Sequence, residues 1–268
     1  MTSTTSDELE TVAPPEEDRA APESGTEGVS RLRLIVQPLA VLAVVVAVVV
    51  YINVATLNAT EAGLLNNRTL AQLTWEHVKL TVVTAVVVVL VAVPLGVLLT
   101  RRRARAARPG VIAVANFGQA APAVGLLVLV ATLFDIGFTA AVIALALYGI
   151  LPTLRNTMTG LEQVDPQLVE AGRGMGMSAR GALMRVEMPL AVPVILTGIR
   201  LSLVLIVGTA ALAAFIGAGG LGQLIITGVN LQLDKELIVG AVLTASLALL
   251  VDWLGHVVEE FARPKGLS

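Results

Sequence analysis

DPQLVEAGRGMGMSARGALMRVEMP, residues 165–189, stands between two long apolar stretches and is too polar to lie within a bilayer. Its punctuation is helical. Asp165 is a natural N-cap, and Pro166 fits the first helical position, where a missing N–H costs nothing. A short helix is expected from Pro166 to about Met175, weakened and ended by Gly172, Gly174 and Gly176. Ser178 offers a second N-cap, for a helix through Ala182 and Val186 that stops before Pro189. The segment therefore predicts two short helices lying along a membrane surface and joining two spans.

Outward from this loop the chain is apolar. Of its 268 residues 56% are hydrophobic and 14% charged, and the mean hydropathy is +0.84. A soluble domain carries about a quarter charged residues, so the bilayer is the expected solvent. A helix needs about 20 apolar residues to cross the hydrocarbon core. Six stretches fit: 34–54, 78–100, 111–133, 138–154 (extended by its flank to 157), 191–214 and 237–258. The class is all-α, a polytopic membrane protein with six transmembrane helices.

Charge orients it. With the N-terminus cytoplasmic, the inside segments collect fourteen of the 18 Lys and Arg residues, Arg101, Arg102, Arg103, Arg105 and Arg108 among them. Positive charge accumulates in cytoplasmic loops, so both termini are expected inside the cytoplasmic membrane. Residues 1–30 hold eight acids against Arg19 alone and read as a disordered acidic tail. Residues 34–54 then form an extra N-terminal transmembrane helix, and 70–262 the core, with its long inside loop at 158–190. The outer segment 55–77 reads as an interfacial helix leading into the second span, with Trp75 at headgroup level.

The loop has a known counterpart. Glu170-Ala171-Gly172, three residues, Gly176, nine residues, Val186-Glu187-Met188-Pro189 resembles the EAA loop of binding-protein-dependent ABC import permeases, in which E-A-A and a later G precede I-x-L-P at this spacing. Gly172, Val186 and Met188 depart from that pattern only within their chemical classes. The likeness extends over roughly 70–260. The run from Gly208 to Gly222, Leu161 to Pro166 before the loop, and Asn116-x-x-Gln119-x-x-Pro122 on the third span are similar to the osmoprotectant branch, which imports glycine betaine, choline, carnitine and related quaternary amines.

The resemblance implies a type I ABC importer permease fold. It further implies that Glu170, Ala171, Gly172, Gly176 and Pro189 belong to a surface seated on a separate ATPase. Two such ATPases would hold ATP and Mg, with no cofactor on this chain. A second permease copy or a sister permease would complete the pathway, because one copy has too few helices to enclose it. An extracytoplasmic binding protein would supply the solute. Among other solutes, methionine is an alternative, since methionine permeases share a similar glycine-rich outer loop. An ion-gradient secondary transporter is the rival from another class; it predicts buried acids and internal repeats, and neither is evident.

Other chemistry finds little support. The chain has no cysteine and two distant histidines, His77 and His256, which read as helix-end polar residues rather than metal ligands. Gly217-x-Gly219-x-x-Gly222 matches a dinucleotide fingerprint in spelling only, because it follows a membrane span and not a strand. Gly217, Gly219, Gly220 and Gly222 instead read as a tight loop at the outer mouth. No phosphate-binding G-x-x-x-x-G-K-[ST] occurs, no catalytic constellation is found and no nucleic-acid partner is expected. Asn116 and Gln119, with a kink at Pro122, are candidates to line the path or to bond between helices. Arg200 lies about 14 Å into the fifth span at 1.5 Å per residue; a structural ion pair with Asp252 is its expected role.

Overall fold

The computed structural model describes residues 25–262, with side chains from residue 34. The acidic tail read over 1–30 falls outside the described residues up to position 24. From Gly25 the chain is already helical, in α1 (Gly25–Val54).

After α1 come α2 (Ala59–Leu64), α3 (Asn67–Thr100), α4 (Arg108–Ala120), α5 (Ala123–Phe134), α6 (Phe138–Glu162), α7 (Pro166–Gly174), α8 (Ala179–Ala182), α9 (Met188–Ala210), α10 (Gly222–Leu231) and α11 (Asp234–Ala262). Among the described residues five helical stretches are long and apolar enough to cross a membrane, or six if α4 and α5, bent by 106° at their junction, form one span.

That bend lies at the kink expected from Pro122 in the third span, read over 111–133, and is sharp enough to break it into two helices. Pro122 has no N–H to donate, and its ring forces the preceding residue out of the helical region. Ala121 is accordingly extended, with φ −62° and ψ 143°. The outer segment also differs from the expected interfacial helix. Asn58 caps α2 and Asn66 caps α3, whose first turns run without a break into the span. With 34 residues α3 is about 50 Å long, well beyond the roughly 30 Å hydrocarbon core. Trp75 is 67% exposed on its outer part.

The centre of the bundle is α6, packed on α3 and α9. Helices associate in lipid through close backbone approach and interhelical hydrogen bonds rather than through hydrophobicity. Both operate here. A Cβ on Gly149 would come within 2.8 Å of Ile206, and one on Gly198 would run into Asn156. Beside them, Thr153 Oγ1 and Ser202 Oγ are 2.8 Å apart, and the Ser202 hydroxyl donates to the Gly149 carbonyl at 2.7 Å. On α3, His77 is fully buried well inside the helix, not at its end, with Nε2 3.0 Å from the Val207 carbonyl.

Contacts fix which helix ends share a face. The Trp253 indole of α11 donates to the Leu34 carbonyl in the first half of α1, and Arg200 at the middle of α9, with Thr197 one turn earlier, reaches Asp252 and Glu259 in the last third of α11. Arg101, just past α3, pairs with Glu187, just before α9. The first half of α1, the end of α3, the last third of α11 and the α7–α8 loop therefore lie toward one end of the bundle.

Candidate coupling surface and translocation path

The loop is built by caps. Asp165 accepts the Gln167 N–H at 2.8 Å and starts α7. At the other end, Gly176 N–H bonds to the Arg173 carbonyl and Met177 N–H to the Gly172 carbonyl, at 3.0 and 3.2 Å. This paired closure with a left-handed residue is the Schellman arrangement, and Gly176 supplies the required backbone with φ +91°. Ser178 then accepts the Gly181 N–H at 3.1 Å and opens α8.

The second short helix does not stop before Pro189. A π turn over Leu183–Glu187, closed by Met188 N–H on the Leu183 carbonyl, carries the chain directly into α9. In a regular helix the Pro189 ring would meet the carbonyl four residues back, at Arg185. The wider turn moves that carbonyl aside, so the proline is accommodated.

Glu170, Ala171, Gly176 and Pro189 are exposed, whereas Gly172 is buried. A Cβ there would lie 3.3 Å from Met177 Sδ and 3.4 Å from Val186, so Gly172 lets the two short helices pack. The Glu170 carboxylate has no partner among the described residues. Three residues not singled out from the sequence join this surface: Leu168, Met175 and Met184 are 49%, 75% and 67% exposed. Their signal was available, as apolar residues on a polar loop; methionine suits an adaptable contact.

One ion pair holds the end of the loop to α3, and a second joins α4 to α6 beside it. Arg101 donates Nη1 and Nη2 to the two Glu187 oxygens at 3.2 and 2.6 Å. Arg108, at the start of α4, pairs with Glu162, at the end of α6.

At the bend, Asn116 accepts from Arg155 Nη2 at 2.7 Å, Gln119 is half-buried and Pro122 is exposed. Ala121 packs against the cluster containing Ala213 and Ile216, which belong to the 3-10 turn following α9. The bend and the glycine turn are thus neighbours through that cluster. Gly217, Gly219 and Gly220 all have positive φ, at 69°, 82° and 83°. Glu76 on α3 accepts the Gly220 N–H at 3.1 Å, and a Cβ on Gly220 would meet His77 at 3.2 Å. Gly222 is packed so closely on the Ala211 carbonyl that no Cβ fits. These glycines seat the turn closely against the N-terminal half of α3.

Arg200 is part of a half-buried cluster. Its Nε donates to Asp252 at 2.9 Å and its Nη1 to Glu259 at 3.2 Å, with His256 Nδ1 3.3 Å away. Thr197 donates to Glu259, and Gln37 of α1 reaches Asp252. The guanidinium is therefore engaged in structure between α9, α11 and α1. At the start of α11, Lys235 Nζ bonds Glu61 and the Thr56 carbonyl, each at 2.8 Å. That ammonium, followed by the Asn58 N–H, holds the Glu61 carboxyl below its ordinary range.

Known proteins are similar to this chain. The family model described as "binding-protein-dependent transport system inner membrane component" matches residues 92–263. The glycine betaine/carnitine/choline transport system permease protein OpuCB of Bacillus subtilis is 42% identical over 195 residues, 73% of this chain and 89% of that one. The osmoprotectant import permease protein OsmW of Salmonella typhimurium is 40% identical over 203 residues, 74% of this chain and 94% of that one. In an inward-facing structure of the MetNI methionine ABC transporter, a chain 25% identical superposes with a TM-score of 0.64, covering 73% of this chain and 96% of its own length.

Proposed function

Because the chain belongs to the family of binding-protein-dependent transport system inner membrane components, we propose that it is the permease subunit of an ATP-driven importer of small quaternary-amine osmoprotectants such as glycine betaine, choline or carnitine. The observation that carries the solute class is 42% identity to a glycine betaine/carnitine/choline permease over 89% of that protein. Likeness to the methionine transporter chain is weaker in sequence, at 25%, so an amino acid is the second reading.

In this reading the chain is a transport subunit, and ATP with Mg is bound and hydrolysed on two separate ATPase subunits. The α7–α8 loop is the docking surface. Exposed Leu168, Ala171, Met175 and Met184 would seat in a cleft of the ATPase, and Glu170 has a carboxylate free to meet a partner cation. When the ATPases close on ATP the loop is displaced, and the unbroken run through the π turn carries that displacement into α9. A second permease completes the pathway, an external binding protein delivers solute, and both termini face the cytoplasm. Asn116 and Gln119 beside the Pro122 bend line the path, with the glycine turn at its outer end.

The test is reconstitution with the partner ATPase and binding protein in liposomes. Labelled glycine betaine, choline or carnitine should accumulate only with ATP, and methionine should not. Uptake that persists without the ATPase, or follows an ion gradient instead, would refute the proposal.

A further inference from the structure

The end of α3 and the α7–α8 loop are far apart along the chain, yet the two are clamped together. Arg101, the C-cap of α3, presents two guanidinium N–H groups to the two oxygens of Glu187, a residue 86 positions away. A fork meeting a carboxylate in this manner fixes orientation as well as distance. Glu187 lies in the π turn that links the loop to α9, and its side chain is only 11% exposed. Arg101 is the only partner its carboxylate has among the described residues. Removing it would leave a largely buried charge uncompensated.

A displacement of the loop has two ways into the bundle. One runs along the backbone into α9. The other crosses the ion pair into α3, which packs on both α6 and α9. We propose that Arg101 and Glu187 are positioning residues for energy coupling: they make the π turn and the inner end of α3 move as one body, so that loop displacement shifts α3 and α9 together. The proposal rests on the loop being the surface that an ATPase drives.

The experiment uses the complete transporter in liposomes, measuring ATP hydrolysis and labelled glycine betaine uptake on the same sample. R101A and R101E should lower the solute moved per ATP by about fivefold or more, the lower end of ordinary coupling between sites. R101K should fall between, since an ammonium keeps the charge but not the fork. R101E/E187R should recover at least half of the loss. Because the chain has no cysteine, R101C/E187C can be joined by a short thiol crosslinker, and the linked protein should keep its uptake per ATP. A wild-type ratio in R101A, a charge swap no better than R101E, or arrest by the crosslinker would each overturn the proposal. If the wild-type assembly shows no ATP-dependent uptake at all, the permease reading itself fails, and the proposal with it.

Discussion

Gly176 separates two effects that mutations at a loop usually mix. Its φ of +91° is one that L side chains rarely adopt, and a Cβ built there has nothing within 4 Å. Within this chain the cost of a side chain is therefore backbone strain alone, about 1–2 kcal/mol, and it does not grow with side-chain size. On a surface pressed against another subunit, size does matter, because overpacking adds about 1–3 kcal/mol. The series is G176N, G176A and G176L in the purified permease. Thermal midpoints should fall by a few degrees for Ala and Leu alike, and less for Asn, which tolerates the left-handed region. Co-purification with the ATPase should behave differently, G176L retaining roughly tenfold less than G176A, the equivalent of about 1.4 kcal/mol. Uptake should follow that binding. If Ala and Leu reduce uptake equally, in step with their midpoints, the loop is not a docking surface and the turn matters only for its shape.

Other predictions follow from contacts already described. S202A removes hydroxyl contacts to Thr153 and the Gly149 carbonyl, and should cost about 1 kcal/mol, read by thermal unfolding in detergent, as interhelical hydrogen bonds in membranes do. G198L would drive a side chain into Asn156 and should prevent a folded monodisperse protein on gel filtration, whereas G63A, with open space around it, should not. The Glu61–Lys235 pair predicts a pH dependence. Because the folded-state carboxyl lies below its ordinary value, its stabilisation is fully present above the ordinary carboxylate range and is lost as pH falls through the lowered value. Wild type should therefore melt higher than E61Q near neutral pH, with the gap closing on acidification; a gap that persists unchanged at low pH would refute the ionic account. M175D/M184D should abolish ATPase co-purification without lowering the melting midpoint of the isolated permease.

Local chemistry in the sequence was decisive at the loop. Asp165-Pro166, Gly176 and Ser178 each act on neighbours within a few residues, and each caps or ends a helix as its type requires. Direction was harder. Apolar length counts residues without regard to where the axis points, so Pro122 announced a kink while the 106° turn of α5 against α4 depends on packing against α6 and the 3-10 turn. Pro189 misled for a related reason: a proline alone reads as a helix stop, and the π turn that accommodates it has no letter of its own. Arg200 and Asp252 could be paired on the principle that intramembrane charges seek each other, but Glu259 and His256 came to the same group only through the facing surfaces of α9 and α11. Glu187 is visible in the sequence only as a motif position, and its partner, 86 residues away, has no spacing signal.

From Ala179 to Ile216 the chain forms one apolar span of 38 residues, ending at the left-handed Gly217. Such a stretch, about 57 Å at 1.5 Å per residue, has one tip in the α7–α8 loop and the other under the glycine turn held by Glu76. A widened turn lies near its loop tip, Pro193 sits inside α9, and the last six residues tighten into a 3-10 turn. A tilt that travels along it to the far tip meets α3 there at two neighbouring contacts, His77 with the Val207 carbonyl and Glu76 with the Gly220 N–H.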